Sequence, residues 1–237
     1  MKKQIIIGLS FNELKKERRN HGKDNIVRLT KDWIENRLAI FMNFTLRSFQ
    51  AQTNQDFRAL VRYDETSKET LKEALRKYEP LPSNIKFIGK DRFDKKVNSY
   101  LEKGGSDYFY LVRLDSDDMY HKTYIQQLHD HIPQKDKIAL ICRKGYKYDH
   151  MNQWLGEDTR KSPPFYTVIY KTKDYLAGKR YDLSRGHHSS IKLPHEFLPD
   201  RNYVYIIHST NVKGKWHNDI LEKDPVKIQE ILSEYKN

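Results

Sequence analysis

Three carboxylates crowd together in Arg113-Leu114-Asp115-Ser116-Asp117-Asp118, directly after Tyr108-Phe109-Tyr110-Leu111-Val112, the most apolar run of the chain. Three anions this close repel one another, so a divalent cation or hydrogen-bond donors must compensate them. In an extended segment Asp115 and Asp117 point to one side and Asp118 to the other, so the first two are placed to share a ligand. An oxygen-ligated Mg²⁺ or Mn²⁺ here would bridge protein carboxylates and a diphosphate and would neutralise charge on a leaving diphosphate. The competing reading is a solvated turn in which Asp118 caps the next helix. Two more residues sit where a site at strand ends would need them. His208 ends the strand-like run Tyr203-Val204-Tyr205-Ile206-Ile207 and is a candidate for the metal shell. Asp64 follows Phe57 to Tyr63 and can accept from the N–H of a nucleotide base, although taken by itself it reads better as a plain turn or helix cap.

The elements that must position these residues alternate between strand and helix patterns through residue 142, the signature of an α/β layered domain with a mainly parallel central sheet flanked by helices. Ile5-Ile6-Ile7, ending at Gly8, reads as a buried strand. Asn12 to Arg28 is charged and without period, a loop expected over the site. Thr30 is placed to cap one long helix in which Ile34, Leu38, Phe41, Thr45 and Phe49 recur at helical spacing. A strand from Phe57 to Tyr63, a helix from Lys68 to Tyr78, a strand at Ile85 to Ile88 and a helix from Arg92 to Lys103 stopping at Gly104-Gly105 follow. Beyond the carboxylates a helix near Tyr120 to His131 and a strand Ile138 to Cys142 are expected. Residues 143 to 215 lack a helical period, and Pro225 to Tyr235 reads as a final amphipathic helix. With no linker in 237 residues, the chain is expected to be a single domain: 1–118 the nucleotide-binding half, 119–215 the acceptor-facing half and 216–237 the C-terminal helix.

Composition narrows the class of function. The net charge of +12 and a pI near 9.5 favour anionic partners, whether phosphorylated small molecules, polyanions or lipid head groups. The single cysteine, Cys142, excludes intrachain disulfides and Cys-based zinc clusters, fits a cytoplasmic setting, and reads as a small core side chain. No apolar run resembles a secretion signal or approaches the roughly 20 residues of a membrane span, so membrane contact is expected to be peripheral, at the inner face. No helix-turn-helix, zinc-finger or RNA-recognition signature accompanies the basic run Lys15-Lys16-Glu17-Arg18-Arg19, which weighs against nucleic acid as a partner.

The order of these blocks resembles the GT-A fold glycosyltransferases. Trp33-Ile34-Glu35-Asn36-Arg37-Leu38, the stretch Leu46-Arg47-Ser48-Phe49-Gln50-Ala51-Gln52-Thr53, then Asp64, then the Asp-x-Asp segment, resemble family 2 enzymes. The Trp-x-Glu-x-Arg-Leu opening and the late His208-Ser209-Thr210-Asn211-Val212 resemble a bacterial rhamnosyltransferase family. The likeness covers roughly residues 1 to 215, and 30 to 120 is its specific part. It implies a single Rossmann-like domain that moves a sugar from a UDP-, dTDP- or GDP-sugar to a saccharide, lipid-linked or anionic polymer acceptor, with Mn²⁺ or Mg²⁺ as cofactor. It further implies that Asp64 contacts the base, Asp115 the ribose or the metal's water shell, and Asp117 the metal, with Arg113 balancing charge and His208 near the metal.

The catalytic base is expected among Glu157, Asp158, Glu196 and Asp200. Glu196 is favoured because Gly186-His187-His188 before it resembles the family's acceptor-facing Gly-His segment. Adjacent histidines point apart and rarely serve one ion, so His187 and His188 are candidates for acceptor contacts. Tyr146, Tyr148, Trp154, Phe165 and Tyr166 are candidates for sugar stacking, although core packing accounts for most. The competing class is a nucleic-acid or polyanion binding protein without catalysis.

Overall fold

The computed structural model describes residues 1–13, 26–208 and 222–236. Strands β1 (Lys3–Ser10), β2 (Arg58–Tyr63), β3 (Ile85–Gly89) and β4 (Tyr108–Asp115) lie parallel in the order β3-β2-β1-β4. The sheet continues through β8 (Tyr166–Lys171), β6 (Ala139–Asp149), β9 (His195–Ile207) and the two-residue β5 (Met119–Tyr120), with β7 (Trp154–Thr159) beside β6. Here β4–β8, β8–β6, β6–β7 and β9–β5 are antiparallel and only β6–β9 is parallel. The nine-stranded sheet is therefore mixed, which corrects the mainly parallel expectation. The alternating βα pattern holds only in the first half. In the second half β6, β7 and β8 follow one another with no helix between them, and the short return from β6 to β7 favours antiparallel pairing.

Helices α1 (Lys31–Asn43), α2 (Thr45–Gln50) and α3 (Lys68–Leu75) lie in the first half, followed by α4 (Phe93–Gly104), α5 (Tyr124–Asp130), α6 (Thr172–Leu176), α7 (His187–Ser190) and α8 (Pro225–Ser233). Ile5, Ile6 and Ile7 are all buried because both sheet faces are covered. Ile5 and Ile7 join one cluster with Ile34, Leu38 and Phe41 of α1, while Ile6 joins another with Val97 and Leu101 of α4. A third cluster gathers Phe44, Met119, Val204 and Ile206 with Ile228 and Leu232 of α8. Cys142 is fully buried, and burial pushes its thiol up to about 12, so it is inert packing.

Several boundaries depart from the periodicity. The long helix breaks at Phe44 (φ −120°, ψ −71°), whose ring turns into the third cluster. The helix expected near Tyr120 starts only at Tyr124, because Met119 and Tyr120 pair with Val204 and Tyr203 as an edge strand. The helix from Lys68 ends at Leu75, the strand from Ile138 runs on to Asp149, and β7 has no counterpart in the period-based reading. Most of the loop expected between Asn12 and Arg28, and the Lys15–Arg19 run, lie outside the described residues, as do Ser209 to Val212. Among the described residues no helix is long and apolar enough to cross a membrane.

The register sets the site's location. Ser10 stands opposite Arg62 of β2 and Asp115 of β4, so the carboxyl ends of three parallel strands share one edge. Open α/β sheets bind ligands beyond such an edge.

Candidate active site

Beyond β4 the carboxylates form a turn and not an extended run, closed by the Asp118 N–H donating to the Asp115 carbonyl at 3.2 Å. This overturns the expectation that Asp115 and Asp117 project side by side. Asp115 is half-buried and Arg113 Nη2 donates to its two oxygens at 3.0 and 3.3 Å. Asp117 is buried. Its Oδ2 accepts from Arg37 Nη1 at 2.7 Å and from His208 Nε2 at 3.0 Å. An ionised carboxylate only accepts, so the His208 Nε2 carries the proton, and its 3.3 Å approach to Arg37 brings together two donors on one oxygen. Burial pushes the Asp117 carboxyl up, but Arg37 and His208 outweigh burial and hold it below the ordinary carboxylate value.

Asp118 is not the cap of the next helix; that position belongs to Thr123. Its Oδ1 accepts from the Ile206 N–H at 2.9 Å, which ties the turn to β9. Burial first, then the charges of Asp117 and Asp115, hold Asp118 well above the carboxylate range.

The oxygen chemistry fits a hard cation. Oδ1 of Asp117 is buried and accepts no hydrogen bond from the described residues. Among those residues no three His, Cys, Asp or Glu side chains converge, so a cation held by Asp117 would fill its other positions with substrate oxygens and water, as Mg²⁺ commonly does.

On the same edge, Asp64 caps a 3₁₀ turn (Glu65–Ser67). Its Oδ1 accepts from the Thr66 N–H at 3.2 Å and the Thr66 hydroxyl at 2.8 Å, and its Oδ2 from Lys90 Nζ at 2.9 Å. Burial opposes the charge, yet Lys90 and Thr66 keep the Asp64 carboxyl below its ordinary value, while Asp64 raises Lys90. Asn12, fully buried after β1, braces this turn by accepting from the Asp64 N–H at 3.0 Å and donating to Ser67 Oγ at 2.9 Å.

The remaining candidates separate. His187 is half-buried and feels Arg113, Asp115 and Arg160, so it faces the motif; burial first, then His188, lowers its pKa. His188 is exposed. Their rings lie 4.1 Å apart, against the expected divergence, because consecutive residues of the short α7 are separated by about 100° and not by the 180° of a strand. Asp158 is buried and accepts from Arg160 Nε at 2.6 Å and the Tyr203 hydroxyl at 3.1 Å. Glu157 is exposed and paired with Arg201 at 2.6 Å. Asp200 is exposed and lines a separate cavity of about 390 Å³ with Tyr146, Arg201 and Tyr235. Glu196 is bound by His131 Nε2, whose Nδ1 meets the Tyr110 hydroxyl at 2.8 Å. The structure thus joins Asp117 to His208 and sets His187 within electrostatic reach of Asp115, while Glu196 is tied to His131 and Asp200 lines another cavity. Of the aromatics, Phe165, Tyr148 and Tyr166 are buried in packing.

A sequence profile of the family described as "Putative rhamnosyl transferase" matches residues 7–166. The chain belongs to this family of glycosyltransferases. Among solved structures, S. aureus TarS 1–349 in complex with UDP-GlcNAc is 14% identical over 99% of this chain and 71% of that chain, with a TM-score of 0.51. The S. aureus TarS structure is 13% identical over 87% of this chain and 37% of that one (TM-score 0.43). An active-site mutant of LgtC is 10% identical over 96% and 94% (TM-score 0.40). This chain thus spans little more than a third of the longer TarS structure. No curated protein matches the sequence. The likeness to TarS 1–349 is one of fold, and it is the GT-A architecture that the resemblance implied.

Within this rhamnosyl transferase family member, the sequence blocks that carry the resemblance acquire physical roles. Ser48 Oγ donates to the Tyr120 carbonyl at 2.8 Å and accepts from the Tyr120 N–H at 2.9 Å. Gln52 donates to the His121 carbonyl at 2.9 Å and accepts from the Ile125 N–H at 3.0 Å. The Ser-x-x-x-Gln spacing is one helical turn, and it clamps the chain leaving the carboxylate turn. Sequence reasoning assigned no site role to Arg37, Lys90, Asn12 or Arg160. For Arg37 a signal existed, since it stands in the Trp-x-Glu-x-Arg-Leu block; for Lys90 and Arg160 nothing local distinguishes them from other surface cations.

Proposed function

We propose that this protein transfers a sugar from a nucleotide-sugar donor to a saccharide, lipid-linked or anionic polymer acceptor, with the donor lying across the shared edge of β1, β2 and β4. One observation carries the reading: Asp117 stands at that edge with one buried oxygen held by Arg37 and His208 and the other without a partner among the described residues. Asp64, with Lys90 beside it, is suited to the base, and Asp115 to the ribose or to metal-bound water. The half formed by residues 1–118 holds the donor and residues 119–215 face the acceptor, all within one domain.

Asp117 and Asp115 would hold Mn²⁺ or Mg²⁺, which when bound supplies charge to offset that developing on the departing diphosphate. Arg113 and Arg37 keep the carboxylates in place and add positive charge near the same oxygens. His187 orients an acceptor hydroxyl beside Asp115. A direct displacement needs a carboxylate to take that hydroxyl's proton. Asp158 is the better placed of the four, because its partner Arg160 lies within electrostatic reach of both His187 and Asp118.

The test is a thermal-shift panel of UDP, dTDP, GDP and CMP, each with and without Mn²⁺. Ligand at about a hundred times its Kd adds roughly 2.7 kcal/mol, which means several degrees for a chain of this size. A rise with one nucleoside diphosphate that needs Mn²⁺ is expected, and Asp117→Asn should remove it. No rise with any nucleotide would overturn the donor site.

A further inference from the structure

Two carboxylates of the Asp115–Asp118 turn, Asp115 and Asp117, each have a guanidinium of their own. Arg113 pairs with Asp115 at 3.0 Å and Arg37 with Asp117 at 2.7 Å. The Arg113 pair is local, two residues apart. Arg37 comes from α1, and it is locked in place: only 13% of its side chain is exposed, Nε donates to Ser116 Oγ at 3.2 Å, and the guanidinium lies 5.8 Å from the centre of the Trp33 ring. A turn evolved only to capture a free cation would not be served by a fixed positive charge on the oxygen of its central carboxylate.

Resting on the transferase reading above, we propose that Arg37 is a positioning residue that makes cation uptake depend on the donor: it holds Asp117 and balances its charge in the free enzyme, so that a divalent cation is taken up together with a nucleoside diphosphate and not ahead of it. The physical reason is the charge that already surrounds Asp117. Asp115 and Asp117 are matched by Arg113 and Arg37, and His208 adds a further donor on the same Oδ2. A lone divalent cation approaching Oδ1 of Asp117 therefore meets a unit positive charge held on the other oxygen of the same carboxylate, at a distance where such repulsion is large. The negative charges of a diphosphate reverse the balance. By linkage, the factor by which the nucleotide tightens the cation equals the factor by which the cation tightens the nucleotide.

The experiment titrates Mn²⁺ alone into the full chain, reading free ion by electron paramagnetic resonance, for wild type, Arg37→Gln and Arg37→Lys. Arg37→Gln should bind Mn²⁺ alone about tenfold tighter than wild type, the order expected for removing a unit charge this close. Arg37→Lys, which keeps the charge, should stay with wild type. The same titrations with UDP, dTDP or GDP present should show a large nucleotide-dependent gain in wild type and a smaller one in Arg37→Gln. Equal Mn²⁺ affinities in wild type and a folded Arg37→Gln overturn the proposal. So does a wild type that takes up Mn²⁺ as tightly without nucleotide as with it, a result that stands even if Arg37→Gln fails to fold. Failure of every nucleotide to bind the wild type, with or without Mn²⁺, sinks the donor site instead, while the comparison with Mn²⁺ alone still decides the role of Arg37.

Discussion

At the scale of single residues, the turn after β4 holds two buried carboxyls driven in opposite directions. Asp117 is lowered by Arg37 and His208 against burial, and Asp64 by Lys90 and Thr66 against burial. A carboxylate lowered in the folded state contributes stability above its unfolded value near 4, and that contribution is lost as pH falls through the folded value. Asp118 is the reverse case: burial and two neighbouring anions raise it, so the native chain keeps a proton that the unfolded chain releases. Its contribution therefore weakens as pH rises above about 4 toward the folded value. Urea midpoints measured across pH should show acid destabilisation in wild type, reduced in Asp64→Asn. Asp118→Asn keeps an oxygen for the Ile206 N–H and does not titrate, so it should be more stable than wild type at neutral pH and flatten the decline with rising pH; a variant less stable than wild type at pH 8 would contradict this assignment. For the chemistry, Asp158→Asn should lower kcat by about a hundredfold or more, in the range of general-base loss, while Glu196→Gln leaves it within a few-fold. The opposite ranking would return the role to Glu196.

At the scale of elements, α2 is short but its polar face, with Gln52 just beyond its end, does the positioning. Thr45 Oγ1 donates to the Asp118 carbonyl at 2.9 Å, and Ser48 and Gln52 hold Tyr120, His121 and Ile125. Ser48→Ala leaves the buried Tyr120 N–H and carbonyl without this partner and should cost about 1–3 kcal/mol in chemical denaturation. Because the clamp acts on the chain next to the carboxylates, nucleotide affinity should fall as well, and a variant destabilised by that amount with unchanged nucleotide affinity would separate the clamp from the site. The end of α4 offers a control remote from it. Gly105 takes φ +58°, ψ +40°, and open space surrounds its missing Cβ, so Gly105→Ala should cost about 1 kcal/mol through backbone strain alone, without effect on binding.

At the scale of the whole molecule, the net charge of +12 is far more than the paired cations of the site account for, and it suits an anionic acceptor or a membrane surface bearing one. If the acceptor is a polyanion, its KM should rise about tenfold or more between about 50 and 200 mM salt, while the KM of the nucleotide sugar changes much less. A KM independent of salt points to a neutral saccharide. Polyanion binding that persists without any nucleotide response would favour the non-catalytic reading.

What the sequence determined by itself lies mostly in the first 120 residues. Apolar runs that end in acidic residues, separated by periodic helices, dictate parallel βα units, and such units place Asp64 and Asp115 on one edge whatever else the chain does. The linear order of Trp33 to Leu38, Ser48 to Gln52, Asp64 and Asp115 to Asp118 was sufficient to identify the family. The second half was less legible because its strands pair with partners far away in the chain, as β4 does with β8 and β5 with β9, and local sequence does not encode which strand a returning segment will choose. Thus β5, β7 and the mixed sheet emerged only from the fold. The partners of the site residues were hidden for the same reason. Arg37 meets Asp117 across 80 positions, Lys90 meets Asp64 across 26, and Ile206 meets Asp118 across 88. Ionic and hydrogen-bond partners are selected by proximity in space, so the sequence named the carboxylates and only tertiary packing decided which of them would be charged, matched and reachable.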